Sequence, residues 1–303
     1  MVMFYFIQIL SVLISVAFIT LLERKILGFI QARVGPNKIL IKGLFQSLGD
    51  ALKLASKDSG KLGIISLFEY NIMPIGMMFI LLMLWSVMPS FLGGLSVDLL
   101  MILCIFSVGV YPIMIGGWFS GSFYSMLGSI RSIAQMISYE VNMIMIIISM
   151  VVLVKTFSLV DFNGMVLGVV QICNMYISLM LFLSFLIELN RTPIDLVEGE
   201  SELVSGFNTE YYGFKFAMIF LSEYGMIVFM GSLLGLMVIG LVVGSTYWCF
   251  FTLMMIYLVI WIRGVLPRIR YDKLMELCWI SGLSISVGIL MLMLGYVSYL
   301  EMS

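Results

Sequence analysis

Seven ionisable side chains crowd into 23 residues: Glu188, Arg191, Asp195, Glu198, Glu200, Glu202 and Glu210. Carboxylates this dense repel one another, and any held away from water take up protons more readily. Groups of that kind can accept and pass on protons. A solvated acidic loop is the ordinary reading of such a run. Here, however, Leu196, Val197, Leu203, Val204, Phe207, Tyr211 and Tyr212 interleave the charges. Two more acids, Glu140 and Glu223, stand inside otherwise apolar runs. An ionisable residue within a membrane span costs at least ~2.5–3.5 kcal/mol on insertion scales, which makes it a functional candidate. Gln135, Ser138, Tyr139 and Asn142 neighbour Glu140, while Ser222 and Tyr224 flank Glu223. One reading of these two acids is a structural hydrogen bond between helices. The other is that they extend the acidic stretch into a proton-accessible chain. Arg131, Arg191, Arg263, Arg268 and Arg270 are available as counter-charges.

Other chemistries are excluded early. The chain has no histidine, which removes histidine-based catalysis and histidine metal ligands. Its four cysteines, Cys104, Cys173, Cys249 and Cys278, show no metal-binding spacing and read as small apolar residues. A net charge of −1 implies no nucleic-acid partner.

The elements that must position the acids are membrane helices. The 303-residue chain is 62% hydrophobic and 11% charged, far from the ~25% charge of soluble domains. Uncharged runs are long enough to cross ~30 Å of hydrocarbon and too uniformly apolar for barrel strands. About eight spans are expected, at 2–22, 70–91, 98–118, 132–154, 165–187, 214–240, 246–264 and 277–299. Pro112 and Gly116-Gly117 are expected to kink or end the third, and a Gly/Ser loop is expected over 119–130. Gly244-Ser245 reads as a turn, and Pro267 as the stop of the seventh span. The whole chain, 1–303, reads as one all-α transmembrane domain. The loops at 23–66, 188–212 and 263–276 lie on one side. With borderline residues included, that side holds 15 of the 16 Lys and Arg, and Lys155 alone is opposite. The positive-inside rule places this side in the cytoplasm or matrix, with both termini outside. No cleavable signal or transit peptide is evident, so insertion from the compartment of synthesis, or of the bacterial type, is expected. Within the first loop, residues 43–57 (GLFQSLGDALKLASK) read as an amphipathic helix in the interface, either an anchor or the floor of a lipid-side portal.

Several motifs resemble one family. ELNRTPIDLVEGESELVSGFNTEY, LLERKILGFIQARVGPNK, IRSIAQMISYEV and WIRGVLPRIRYDKLM are similar to the loops and fourth span of the subunit 1 family of NADH:ubiquinone oxidoreductase, respiratory complex I. The likeness covers nearly the whole chain. It departs at Ser47, where the family often has proline, and at Asp58 and Ile280. The resemblance implies a membrane subunit that forms a ubiquinone access tunnel and an acidic path linking quinone reduction to proton translocation. By position, Arg24, Arg33, Asp50 and Phe207 would belong to the tunnel. Glu140, Glu188, Asp195, Glu198, Glu200, Glu202, Glu210 and Glu223 would belong to the proton path, with Arg131, Arg191, Arg268 and Arg270 as counter-charges. No redox centre is expected in this chain, and none of its residues is expected to bind metal. FMN and iron–sulfur clusters would lie in partner subunits, and ubiquinone would be the substrate. The implied location is the mitochondrial inner membrane, with the large loops in the matrix and the termini on the intermembrane-space side. Two readings of other classes stand beside it. One is the membrane subunit of a related membrane-bound hydrogenase. The other is a stand-alone proton or cation transporter, which would call for an internal repeat and broken helices at the midplane. Neither feature is evident.

Overall fold

Hydrocarbon offers backbone amides no partners, so each long apolar run must close its hydrogen bonds within itself. A computed structural model of the chain describes all residues except 1, 39–42, 58–66, 90–93, 164–169, 196–205, 209–210 and 303. The regular structure among the described residues is helical. In chain order the helices are α1 (Val2–Ile30), α2 (Gln46–Ser56), α3 (Leu67–Val87), α4 (Asp98–Phe119), α5 (Phe123–Val154) and α6 (Val170–Glu188), then α7 (Phe214–Ile239), α8 (Thr246–Val265), α9 (Tyr271–Glu276) and α10 (Leu283–Met302). A π-helical segment, Leu277–Gly282, joins α9 to α10, so the two form one continuous rod. Counting that rod once, seven described helices are long and apolar enough to cross a membrane, and Tyr176–Glu188 of α6 is a shorter apolar helix. The chain is a polytopic all-α membrane protein.

α7 is the central helix. In its membrane window 67% of residues are buried, against 17% in the last rod. It packs on α1, α2, α3, α6 and α8, while α5 packs on α4, α6 and α10. Phe229 of α7 is wholly buried and meets Trp85 of α3 and Phe106 of α4 edge to face, at 5.8 and 6.0 Å. Such offset aromatic geometry adds to simple area burial.

Helix ends follow their local chemistry. Gly240 takes the left-handed conformation that closes α7, with φ +70°. Ser245 then opens α8, its side chain accepting from the Trp248 amide at 3.2 Å. α8 stops at Val265, because Pro267 forces Leu266 into extended backbone.

The third span runs from Asp98 to Phe119, against the expected 98–118, and ends two residues past Gly116-Gly117 with Pro112 inside the helix. Pro112 packs against α3, where a Cβ on Gly76 would lie 3.2 Å from its ring. One expectation needs correction: 119–130 is not a loop, since α5 begins at Phe123. The serines there do not break the helix, because Ser125, Ser129 and Ser132 each donate to the carbonyl three residues back. Their small size lets two backbones meet: a Cβ on Gly117 would sit 2.0 Å from the Ser129 hydroxyl oxygen. Small residues at a crossing are the usual means of close packing in a bilayer.

This contact predicts a contrast between glycines. Gly117→Ala overpacks the α4–α5 seam and should destabilise the fold by ~1–3 kcal/mol. Gly288→Ala meets open space and should change stability by less than ~0.5 kcal/mol or raise it slightly. Thermal unfolding midpoints in detergent would separate the two.

Candidate functional site

Two cavities and a cluster of charges occupy the region that the sequence singled out. The larger cavity, of about 370 Å³, lies between α1, α2 and α7. Leu13, Val16 and Ala17 line one wall, Ala51 and Leu54 a second, and Ala217 and Phe220 a third. Arg24 and Asp50 also line it and form an ion pair at 2.5 Å that ties α2 to α1. Gln46 donates to the other Asp50 oxygen at 3.2 Å.

The amphipathic helix presents two faces. Ser47, Asp50, Ala51 and Leu54 turn toward the cavity. Leu48 and Leu52 are exposed on its outside, where they suit insertion into the headgroup boundary.

Tyr224 lines this cavity and is also part of the charge cluster. Arg191 lies in the turn after α6, is almost fully buried, and stacks over the Tyr224 ring at 4.0 Å. Its Nη1 donates to Glu23 at 3.3 Å, and its Nη2 lies 3.9 Å from Glu223. Burial opposes the guanidinium charge, but Tyr224, Glu23 and Glu223 outweigh it and hold Arg191 charged above the usual arginine range. Arg263 of α8 and the Tyr224 hydroxyl both donate to Glu23 as well. Glu23 was not among the residues singled out from sequence. It sits at the end of an apolar run, beside Arg24 and Lys25.

On the far side of Glu223 lies a second cavity, of about 60 Å³. Glu188, Asn190, Ser222 and Glu223 supply its polar lining, and Met77, Ile80, Ile113, Met136 and Met226 much of the apolar rest. A smaller polar pocket of about 20 Å³ joins Glu223 and Asn190 to Arg191, Asp195 and Arg263. Both exceed the ~10–15 Å³ that a single water needs. Glu140 lies within electrostatic reach of Glu188, and its Oε1 is buried with no hydrogen-bond partner among the described residues.

The remaining candidates divide. Asp195 pairs with Arg268 at 3.1 Å and is buried. Beside that pair, the Ile269 amide donates to the Pro193 carbonyl at 2.9 Å, so two charged-side loops are stitched together. Arg270 is exposed and pairs with Asp272 at 3.0 Å. Arg33 is exposed and donates to Gln31 at 2.9 Å. Arg131 is half-buried on α5. Glu198, Glu200, Glu202, Glu210 and the side chain of Phe207 lie outside the described residues. So does much of the 188–212 stretch. Among the described residues no group of His, Cys, Asp and Glu could hold a metal ion.

The polar neighbours of Glu140 are used structurally. Gln135 donates to the Ile187 and Ile194 carbonyls at 3.3 and 3.4 Å, which fixes both ends of the turn carrying Arg191. Tyr139 donates to the Leu274 carbonyl at 2.8 Å, and Asn142 to the Cys278 carbonyl at 3.1 Å. These bonds anchor α9 and the π segment to α5. Asn142→Ala should leave the Cys278 carbonyl without that donor and cost ~1–3 kcal/mol. Ser286→Ala should cost under ~1 kcal/mol, because its bond to Asn142 is long at 3.4 Å. Thermal unfolding of the two variants checks the order.

Comparison with known proteins now bears on this arrangement. The model of a family described as NADH dehydrogenase matches residues 3–294. The NADH-ubiquinone oxidoreductase chain 1 of Apis mellifera ligustica is 46% identical over 294 residues, covering 96% of this chain and 93% of the relative. That of Artemia franciscana is 45% identical, covering 95% and 96%. That of Branchiostoma lanceolatum is 40% identical, covering 95% and 93%. A family match along nearly the whole length, with relatives of one name across insects, crustaceans and lancelets, leaves a single assignment: the chain belongs to the NADH dehydrogenase family, with the NADH-ubiquinone oxidoreductase chain 1 proteins as its relatives.

Proposed function

We propose that this chain is the membrane subunit of respiratory complex I that lets ubiquinone pass from the bilayer toward redox centres in neighbouring subunits, and that links quinone reduction to proton movement. The observation that carries the reading is the shared wall at Tyr224. On one side of it lies the 370 Å³ cavity. On the other lies the cluster of Glu23, Arg191 and Glu223. Phe220 also lines both this cavity and the polar pocket beside Glu223, so an apolar passage and an acidic site adjoin along these two rings.

The chemistry needs both parts. Reducing a quinone to a quinol consumes two electrons and two protons. This chain offers no redox centre in the proposal; partner subunits carrying FMN and iron–sulfur clusters supply the electrons. Its own residues bind, orient and move protons. The apolar walls of α1 and α7 suit an isoprenoid tail, and the Arg24–Asp50 pair presents a polar latch at its side. Arg33 and Phe207 would stand at the outer parts of the same route. Glu223 and Glu188, which line the small cavity, and Glu140, within electrostatic reach of Glu188, form the inner part of the proton path. Asp195, Glu198, Glu200, Glu202 and Glu210 would form the part nearest the matrix, and Arg131, Arg191 and Arg268 would balance their charge. The setting proposed is the mitochondrial inner membrane, with the large loops facing the matrix.

The two halves of the proposal are separable by mutation. Ala217→Trp fills the large cavity and should lower NADH-driven reduction of a long-tailed quinone by ~10-fold or more, while NADH–ferricyanide activity stays within ~2-fold. Glu223→Gln should leave assembly intact, yet slow coupled turnover by ~10-fold or more, the scale of losing a proton-transfer group. Equal loss of both activities in Ala217→Trp, or an unchanged rate and proton-to-electron ratio in Glu223→Gln, would refute the corresponding half.

A further inference from the structure

The small acidic cavity is covered on the charged side by an apolar layer. α3 and α7 both start on that side, and α4 ends there. One turn outward from the cavity-lining Met77, Ile113 and Ser222 lie Met73, Gly116 and Ile219. Met73 and Ile219 are wholly buried. The Met73 side chain uses the space that Gly116 leaves, since a Cβ there would lie 2.6 Å from it. Tyr70 and Tyr211 pack on Met73 and Ile219 and stack in parallel, with ring centroids 4.3 Å apart. We propose that this two-layer stopper insulates the Glu188–Glu223 cavity. It denies water and protons a direct way in from the charged face, so that they reach those acids by way of the polar pocket at Arg191 and Asp195. The proposal rests on the acidic-path reading and specifies where that path is closed.

The stopper is built around a break in the helix ladder. Pro74 has no N–H, so the Tyr70 carbonyl four residues back cannot take its usual helical donor. The Tyr211 hydroxyl donates to that carbonyl at 3.2 Å, which pins the second ring to the backbone of the first. Beneath the rings, Met73 and Ile219 offer water no strong partner, and an apolar constriction of this kind gates by staying dry. The Lys215 ammonium lies over the Tyr70 ring at 4.9 Å. It sets a cation at the outer end of the stack, which opposes an arriving proton. The cavity below is of the opposite kind. At about 60 Å³, with Glu188, Asn190 and Glu223 in its wall, it has both room and partners for water. A dry neck over a wet chamber stops a proton from slipping back as well as from entering.

The test uses the assembled complex in membrane vesicles whose charged face is outward. Met226→Cys places a probe in the cavity wall, and mass spectrometry of the chain reads its labelling by a membrane-impermeant cationic methanethiosulfonate. That reagent is too large for the polar pocket of about 20 Å³, so labelling reports the stopper alone. With the stopper intact the probe should be protected, and free labelling there overturns the proposal. Met73→Ala shortens the stopper and should speed labelling by ~10-fold or more. It should also lower the proton-to-electron ratio while quinone reduction stays within ~2-fold of the parent. Labelling at the parent rate in the assembled variant overturns the proposal. So does faster labelling with an unchanged ratio, which leaves the layer a packing contact only. If Met73→Ala does not assemble, Tyr211→Phe decides, because it keeps the ring and removes the bond to Tyr70. A smaller rise in labelling together with a lower ratio supports the proposal, and a change in only one of the two, or in neither, overturns it. Labelling does not depend on the Glu223 charge, so the two readings fail separately. An unchanged rate and ratio in Glu223→Gln sinks the acidic path, and the proton role of the stopper with it, even where labelling shows the cavity sealed.

Discussion

A guanidinium held at 8% exposure beside the hydrocarbon must be surrounded by negative charge or it will not stay buried. Arg191 meets that demand by recruiting one carboxylate from α1 and one from α7, together with the face of an aromatic ring. Four elements distant in sequence are fixed in relation to one another as a result, since Arg263 brings α8 to the same point. The turn carrying Arg191 is held from behind by Gln135 of α5. The candidate passage and the acidic site both inherit their geometry from this one compensated charge.

The apolar part of the structure obeys a different rule. Lipid provides no hydrophobic drive between helices, so contact depends on close approach and interhelical hydrogen bonds. The Gly117–Ser129 seam supplies the first, and Tyr139 and Asn142 supply the second. α5 uses its polar residues as attachment points and still brings Glu140 into the region of Glu188.

Much of this was legible in the residues. Apolar runs located the helices, and Pro267 and Gly244-Ser245 marked their ends. The serines at 122–132 misled because their hydroxyls satisfy themselves along the helix, so a composition typical of loops was compatible with α5. The acids inside apolar runs stood out because each is costly alone. Glu23 did not, because a carboxylate beside Arg24 and Lys25 looks solvated in one dimension. Only packing shows that the helix turns Arg24 toward Asp50 and Glu23 inward toward Arg191 and Arg263. Pairings such as Arg270 with Asp272 are likewise decided by side-chain direction, which spacing does not convey.

The π segment between α9 and α10 has a consequence for how that rod is aligned. A π turn holds more residues than the 3.6 of an α turn, so each residue turns through a smaller angle and everything beyond it lags in angular phase. An extra residue amounts to roughly 100° of rotation about the axis. Leu274 is thereby buried on one side of the break and Ser286 on the other, both along α5. A continuous α-helix of the same sequence would set the two about 120° apart around the axis. The six residues at Leu277–Gly282 thus act as a splice: they let a polar, loop-facing stub and an apolar shaft, out of step in sequence, share a single docking line.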